Sequence, residues 1–286
     1  MRVFVLGDSF AENIYERPIK IHKKGADITS DDITYLSHNT GIHSFIKLLA
    51  KAKGKYPLHF TDYFKLFGYE VINFGDGGCS VYSIYNQFTK IDKEFKEGDR
   101  IVINWTSPCR FDWIREDGEW DLTIVGDIIT EDIPQERKRM LIEQKLYRSN
   151  SFEKGFLNER MIPFMSHLIS LHSKYKPILW SPFPRISKIF ENDQFYFWEA
   201  SNEVFKNIIP EYNKLLIIEE TNQRVDDNHY GRYGNFYTAI ILKEILEYSQ
   251  NNNITRYTED KELFNRVVDK IKNTPHGFEP LYKYVL

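Results

Sequence analysis

Two short segments, far apart in the chain, carry residue types that could make and break an acyl bond. Gly7-Asp8-Ser9 follows a short apolar run near the amino end. A serine at such a turn can expose its hydroxyl while nearby backbone N–H groups stabilise negative charge. The plainer use of a serine there is to cap the helix that follows, because Ser is strongly favoured at helix N-caps. The second segment is Asp226-Asp227-Asn228-His229, ahead of a helical pattern. A carboxylate three residues before an imidazole can fix its tautomer and stabilise its protonated form. Its plainer use is a polar turn. A nucleophilic serine needs a base, and the base an orienting carboxylate. Ser9 and Asp226-x-x-His229 therefore argue more strongly together than apart.

The elements that must position them are legible as apolar runs at 3–6, 69–74, 101–105 and 176–180, with 215–218 offering a fifth. The first four end in small or polar residues: Gly7-Asp8-Ser9, Gly75-Asp76-Gly77-Gly78, Thr106-Ser107-Pro108 and Ser181-Pro182. Segments 60–67, 81–95, 161–175 and 235–248 have helical spacing between the runs. Continuous apolar strands alternating with helices imply parallel strands covered on both faces. The expected fold is α/β, a three-layer α/β/α sandwich around a mostly parallel, roughly five-stranded sheet. Ligands of such sheets bind beyond the carboxyl ends of the strands, where these polar residues cluster. A single domain over 1–286 is expected, with insertions at about 11–55 and 108–160 and a carboxyl-terminal extension over 251–286. The second insertion includes a charged helical pattern at 131–147.

Composition removes several function classes. Of 286 residues, 38 are Lys or Arg and 41 are Asp or Glu, a formal net charge of −3. A nucleic-acid binder would normally carry a basic excess or stripe, so no nucleic-acid partner is expected. Apolar residues make up 42% and aromatics 15%, enough for a globular core. Cys79 and Cys109 cannot build a disulfide framework or a paired-cysteine zinc site. His167 and His172 are five apart on a helical pattern and do not share a face. No metal or other cofactor is expected. No run approaches the roughly 20 apolar residues that span a bilayer, and the first residues lack a signal-peptide pattern. The expectation is a cytoplasmic protein with no membrane partner.

Gly7-Asp8-Ser9 at the first strand end, with Asp226-x-x-His229 before the last core helix, resembles the SGNH (GDSL) hydrolase superfamily in order and spacing. The resemblance implies a flavodoxin-like sheet with Ser9 as nucleophile, His229 as general base and Asp226 as its orienter. Asp227 competes for the last role. The family's second block is a glycine after the second strand whose N–H joins the oxyanion hole. Gly78 is the best match, with Gly75 or Gly77 possible in a shifted register. Glycine suits that position because no Cβ blocks the approach of an acyl oxygen.

The third block departs from the family's Gly-x-Asn-Asp. The chain reads Ile103-Asn104-Trp105-Thr106-Ser107-Pro108. Counting from the apolar run puts Asn104 inside the strand, with Thr106 or Ser107 at its end. The oxyanion donors expected are thus the Ser9 and Gly78 N–H groups with a side chain from Asn104 or Ser107. Arg110 could hold a substrate carboxylate, phosphate or hydroxyl, or pair with Asp112. Phe195 to Trp198 and the pair Trp113 and Trp120 could stack on sugar faces, though core packing is their commoner use. The resemblance implies a serine esterase forming an acyl-enzyme. Its substrate would be a small-molecule or glycan ester, with a carbohydrate O-acetyl ester favoured. The altered third block leaves open a noncatalytic binding or assembly protein on the same fold, and the same triad would also serve an acyltransferase.

Overall fold

The computed structural model describes residues 1–8, 11–13, 55–77, 79–91, 93–104, 110–114, 120–124, 135, 139, 177–181, 196–199, 217–218, 223–224, 232–251, 260–274 and 282–284. Their elements, in chain order, begin with β1 (Arg2–Gly7), β2 (Lys55–Pro57), α1 (Phe60–Leu66), β3 (Glu70–Asn73), α2 (Val81–Ile91) and β4 (Arg100–Asn104). The strands β5 (Arg110–Ile114), β6 (Trp120–Ile124), β7 (Ile178–Ser181), β8 (Tyr196–Glu199), β9 (Ile217–Ile218) and β10 (Gln223–Arg224) follow. The chain closes with α3 (Arg232–Tyr248), α4 (Lys261–Asn273) and β11 (Tyr282–Tyr284). It divides into two compact units, one of Met1–Glu12, Val71–Asn202 and Ile245–Phe264, the other of the remaining segments.

The first unit holds a five-stranded sheet in the order β3-β1-β4-β7-β8. β1 with β4, β4 with β7 and β7 with β8 all pair in parallel. This α/β arrangement follows from the apolar runs, because successive residues of a strand point to opposite faces. Phe4, Leu6, Ile101, Ile103 and Leu179 form one core cluster with Ile84, Phe88 and Ile91 of α2. Val3, Val5, Val102, Ile178 and Trp180, at the alternate positions, are fully buried as well. Burial on both faces is what makes these strands read as unbroken hydrophobic stretches. Ser80 starts α2 as its cap: its hydroxyl accepts from Ser83 N–H at 3.2 Å and its carbonyl from Ile84 N–H at 3.1 Å.

Numbered among themselves along the chain, the five strands stand in the order 2-1-3-4-5, so winding reverses between β1 and β4. In open sheets of this order the crevice for a ligand lies at that reversal, beyond the carboxyl ends of the strands. The amino ends of the same two strands are stapled by charge. The Arg2 guanidinium donates to both oxygens of Asp99, and Lys96 N–H donates to the same carboxylate at 2.8 Å. Burial alone would raise the Asp99 pKa, but the Arg2 and Lys96 hydrogen bonds and the two positive charges outweigh it, leaving it below the ordinary value of 3.8.

One expected strand proved to be something else. Residues 217–218 pair antiparallel with 223–224 in a separate two-stranded ribbon. The fifth strand of the main sheet is instead β8, within the aromatic segment expected to pack or to stack on sugars. Helices match the sequence at 60–66 and 232–248, and the helix expected over 81–95 ends at Ile91. Segments 131–147 and 161–175 lie almost wholly outside the described residues.

In the second unit His59 caps α1, its ring nitrogen accepting from Thr61 N–H while Asp62 accepts from His59 N–H, a reciprocal capping box. Tyr63 of α1 meets Phe236 of α3 edge-on at 5.2 Å, and Asn235 accepts from Phe60 N–H at 3.2 Å. α4 runs on into this unit from Asn265, where it buries Val267 and Ile271, and its Arg266 and Lys270 reach the buried Glu244 of α3. β2 and β11 pair antiparallel. Among the described residues no helix is long and apolar enough to cross a membrane.

Candidate active site

The carboxyl ends of β1 and β4 stand side by side, with Gly7 and Asn104 as register partners. Asn104 is the last described residue of β4, and Trp105, Thr106 and Ser107 lie outside the described residues. Gly7 has φ +138°, and a Cβ there would lie 2.5 Å from the Asn104 carbonyl oxygen and 2.6 Å from the Asn104 Cβ. Only glycine allows this approach together with this backbone conformation.

Asn104 is completely buried, and neither its side-chain nitrogen nor its side-chain oxygen has a hydrogen-bond partner among the described residues. Buried amides are nearly always paired, and an unpaired one costs about 1–3 kcal/mol. An orphaned amide at the reversal point of the sheet therefore calls for an explanation, and a reacting group that it would contact is one.

The turn leaving β1 is tight. Asp8 is buried, and its carbonyl accepts from both Ala11 N–H and Glu12 N–H at 2.9 Å. Those are the two donors that a capping Ser9 side chain would normally satisfy.

Beyond β3, Asn73 ties two loops together: its amide nitrogen donates to the Ala11 carbonyl and its oxygen accepts from Gly75 N–H, both at 2.8 Å. Gly75 packs so closely on Ala11 and Glu12 that a Cβ would overlap their backbone. The Gly75 N–H is thus already donated to the Asn73 side chain. Cys79 N–H closes a turn onto the Asp76 carbonyl at 3.2 Å.

Gln87 was not anticipated. It lies on α2 and is buried, with its amide oxygen accepting from Gly7 N–H at 2.8 Å and its amide nitrogen donating to the Gly7 carbonyl at 3.1 Å. The same nitrogen approaches the buried Cys79 Sγ at 3.2 Å. The available signal was a polar residue on the apolar stripe formed by Ile84, Phe88 and Ile91.

Ser9, Gly78, Ser107, Asp226, Asp227 and His229 lie outside the described residues. Arg110 opens β5, opposite Ile124. Trp113 and Trp120 are not partners in the β5–β6 ribbon, where Trp113 stands opposite Asp121 and Trp120 opposite Ile114. Among the described residues there is no group of three or more His, Cys, Asp or Glu able to hold a metal ion. In comparisons with known proteins, no family model and no curated sequence matches the chain.

Proposed function

We propose that the chain is a serine hydrolase of the SGNH (GDSL) type that cleaves carboxylic esters, built on a three-layer, flavodoxin-like α/β/α sheet. Ser9 attacks the ester carbonyl and His229 takes its proton, with Asp226 holding the imidazole. The tetrahedral intermediate collapses to an acyl-enzyme, and His229 returns the proton to the leaving alcohol. Water, activated by the same base, then releases the acid and regenerates Ser9. The Ser9 and Gly78 N–H groups and the Asn104 amide hold the oxyanion, with Ser107 the alternative side-chain donor. The substrate class we propose is a small acyl ester on a carbohydrate, with Arg110 and the insertion that begins after β4 contributing to its recognition.

The observation that carries this reading is the buried, unpartnered amide of Asn104 beside Gly7, two residues before Ser9 in the chain. A donor held ready in a water-poor place is what stabilising a developing oxyanion requires. The sheet order supports it, since both residues sit at the winding reversal. The test is hydrolysis of p-nitrophenyl acetate by the purified chain and by folded Ser9→Ala and His229→Ala variants. The expected loss is about 10⁴-fold or more in kcat for each. Variants that keep the wild-type rate would overturn the assignment.

A further inference from the structure

The geometry points to Gln87 as a positioning residue that fixes the strand end carrying Ser9, an inference that rests on the hydrolase reading. The chain that continues β3 keeps bonding to β1 past the last residue of the strand: Phe74 N–H donates to the Val5 carbonyl at 2.8 Å and Asp76 N–H to the Gly7 carbonyl at 3.0 Å. The N–H of Gly7 faces the same side, and the side chain of Gln87 satisfies it at 2.8 Å. The Gln87 amide nitrogen adds a second bond to the Gly7 carbonyl at 3.1 Å. A carboxamide has one acceptor and two donors in the arrangement of a peptide group. Gln87 thus stands where the next peptide of a neighbouring strand would stand, and it does so from a helix.

The remaining contact joins this clasp to the other loop. Gln87 Nε2 lies 3.2 Å from Cys79 Sγ, in the residue after Gly78. One side chain therefore bonds to the residue two positions before the nucleophile and to the residue next to the expected backbone oxyanion donor. Glycine at position 7 leaves that strand end with no side chain of its own to fix it, and its φ of +138° is a conformation few other constraints would select. Loss of the clasp would let the Gly7–Asp8 peptide shift while the core face of α2, formed by Ile84, Phe88 and Ile91, stays packed.

The test compares wild type with Gln87→Met, which keeps the length and removes both bonds, and with Gln87→Glu, which keeps an acceptor for Gly7 N–H and loses the donor to its carbonyl. Two readouts are taken: the rate of Ser9 labelling by a fluorophosphonate, and kcat and KM for p-nitrophenyl acetate. The expected result is a fall of about 10²-fold in labelling rate and in kcat for Gln87→Met with KM unchanged, because misplacing a reacting group by about 1 Å has effects of that size. Gln87→Glu should fall between it and wild type, and serves alone if Gln87→Met does not fold. Variants labelled and turning over like wild type would overturn the inference while leaving the hydrolase reading intact. A rise in KM with kcat unchanged would overturn it too, since that marks lost substrate binding. A wild type that is neither labelled at Ser9 nor active would overturn the hydrolase reading and this inference with it.

Discussion

Asn104→Leu is expected to make the protein more stable and less active at once. The substitution keeps the branched heavy-atom skeleton of the side chain and removes both polar atoms, neither of which has a hydrogen-bond partner among the described residues. An amide buried without partners costs about 1–3 kcal/mol, and replacing an unpaired polar group with an apolar one of like shape removes that cost. The leucine methyls fill somewhat more space than a planar amide, and Asn104 is fully buried against the Gly7 backbone, so part of the gain is lost to crowding. The net expectation is a stabilisation of about 1–2 kcal/mol, which for a chain of this size raises Tm by about 2–8 °C.

Most substitutions of a buried residue destabilise by about 1 kcal/mol, so the sign alone is informative. If the same amide donates to the oxyanion, the ester-hydrolysis rate should fall by about 10²–10³. Thermal unfolding and p-nitrophenyl acetate hydrolysis measured on one preparation read both quantities. A variant that loses more than about 1 kcal/mol and keeps its rate would refute the reasoning, because the amide would then be serving the fold.

Two further predictions concern titrating groups away from the strand ends. Asp99 is held below its ordinary pKa of 3.8, so its contribution to stability is complete above that pH and is lost as pH falls through the lower folded value. Arg2→Ala should cost about 1.5–3 kcal/mol near neutrality, the range for hydrogen bonds to a charged group. Urea midpoints of variant and wild type should converge as pH falls below 3.8 through the lower folded value, and a gap independent of pH would contradict the pairing. Burial, then a hydrogen bond to Glu262 and the charges of Asp260 and Glu262, push the Tyr248 phenol up to about 12. Its stabilisation is present below pH 10 and lost as pH rises through about 12. Ultraviolet titration of wild type minus Tyr248→Phe should show that phenol ionising later than an ordinary tyrosine.

The central strands were legible because burial on both faces leaves no polar residue to interrupt them, as in Val3 to Leu6 and Ile101 to Ile103. β8 was not, because Tyr196-Phe197-Trp198-Glu199 is as aromatic as a stacking surface and too short for a period to emerge. The pair 217–218 is apolar enough for a core strand, but its partner is the polar 223–224 and not the main sheet. At the candidate site the residue types were legible, and the pairing of Gly7 with Asn104 across β1 and β4 was not. Gln87 and Asn73 act by hydrogen bonds to backbone atoms of loops distant in sequence. Such bonds leave no spacing pattern, only a polar residue where an apolar one would be expected.

The two uses of Ser9, helix cap and nucleophile, make different demands on the turn that follows β1. A cap is needed where the first N–H groups of a helix have no acceptor. Here Ala11 N–H and Glu12 N–H both donate to the Asp8 carbonyl, and the turn is braced again by Asn73 on the Ala11 carbonyl. Among the described residues the turn is thus held by backbone bonds and by a neighbouring loop. That governs how Ser9→Ala is to be interpreted. Because the donors at Ala11 and Glu12 keep their acceptor when the hydroxyl is removed, a loss of hydrolysis in that variant reports chemistry at residue 9 and not the collapse of the turn that carries it.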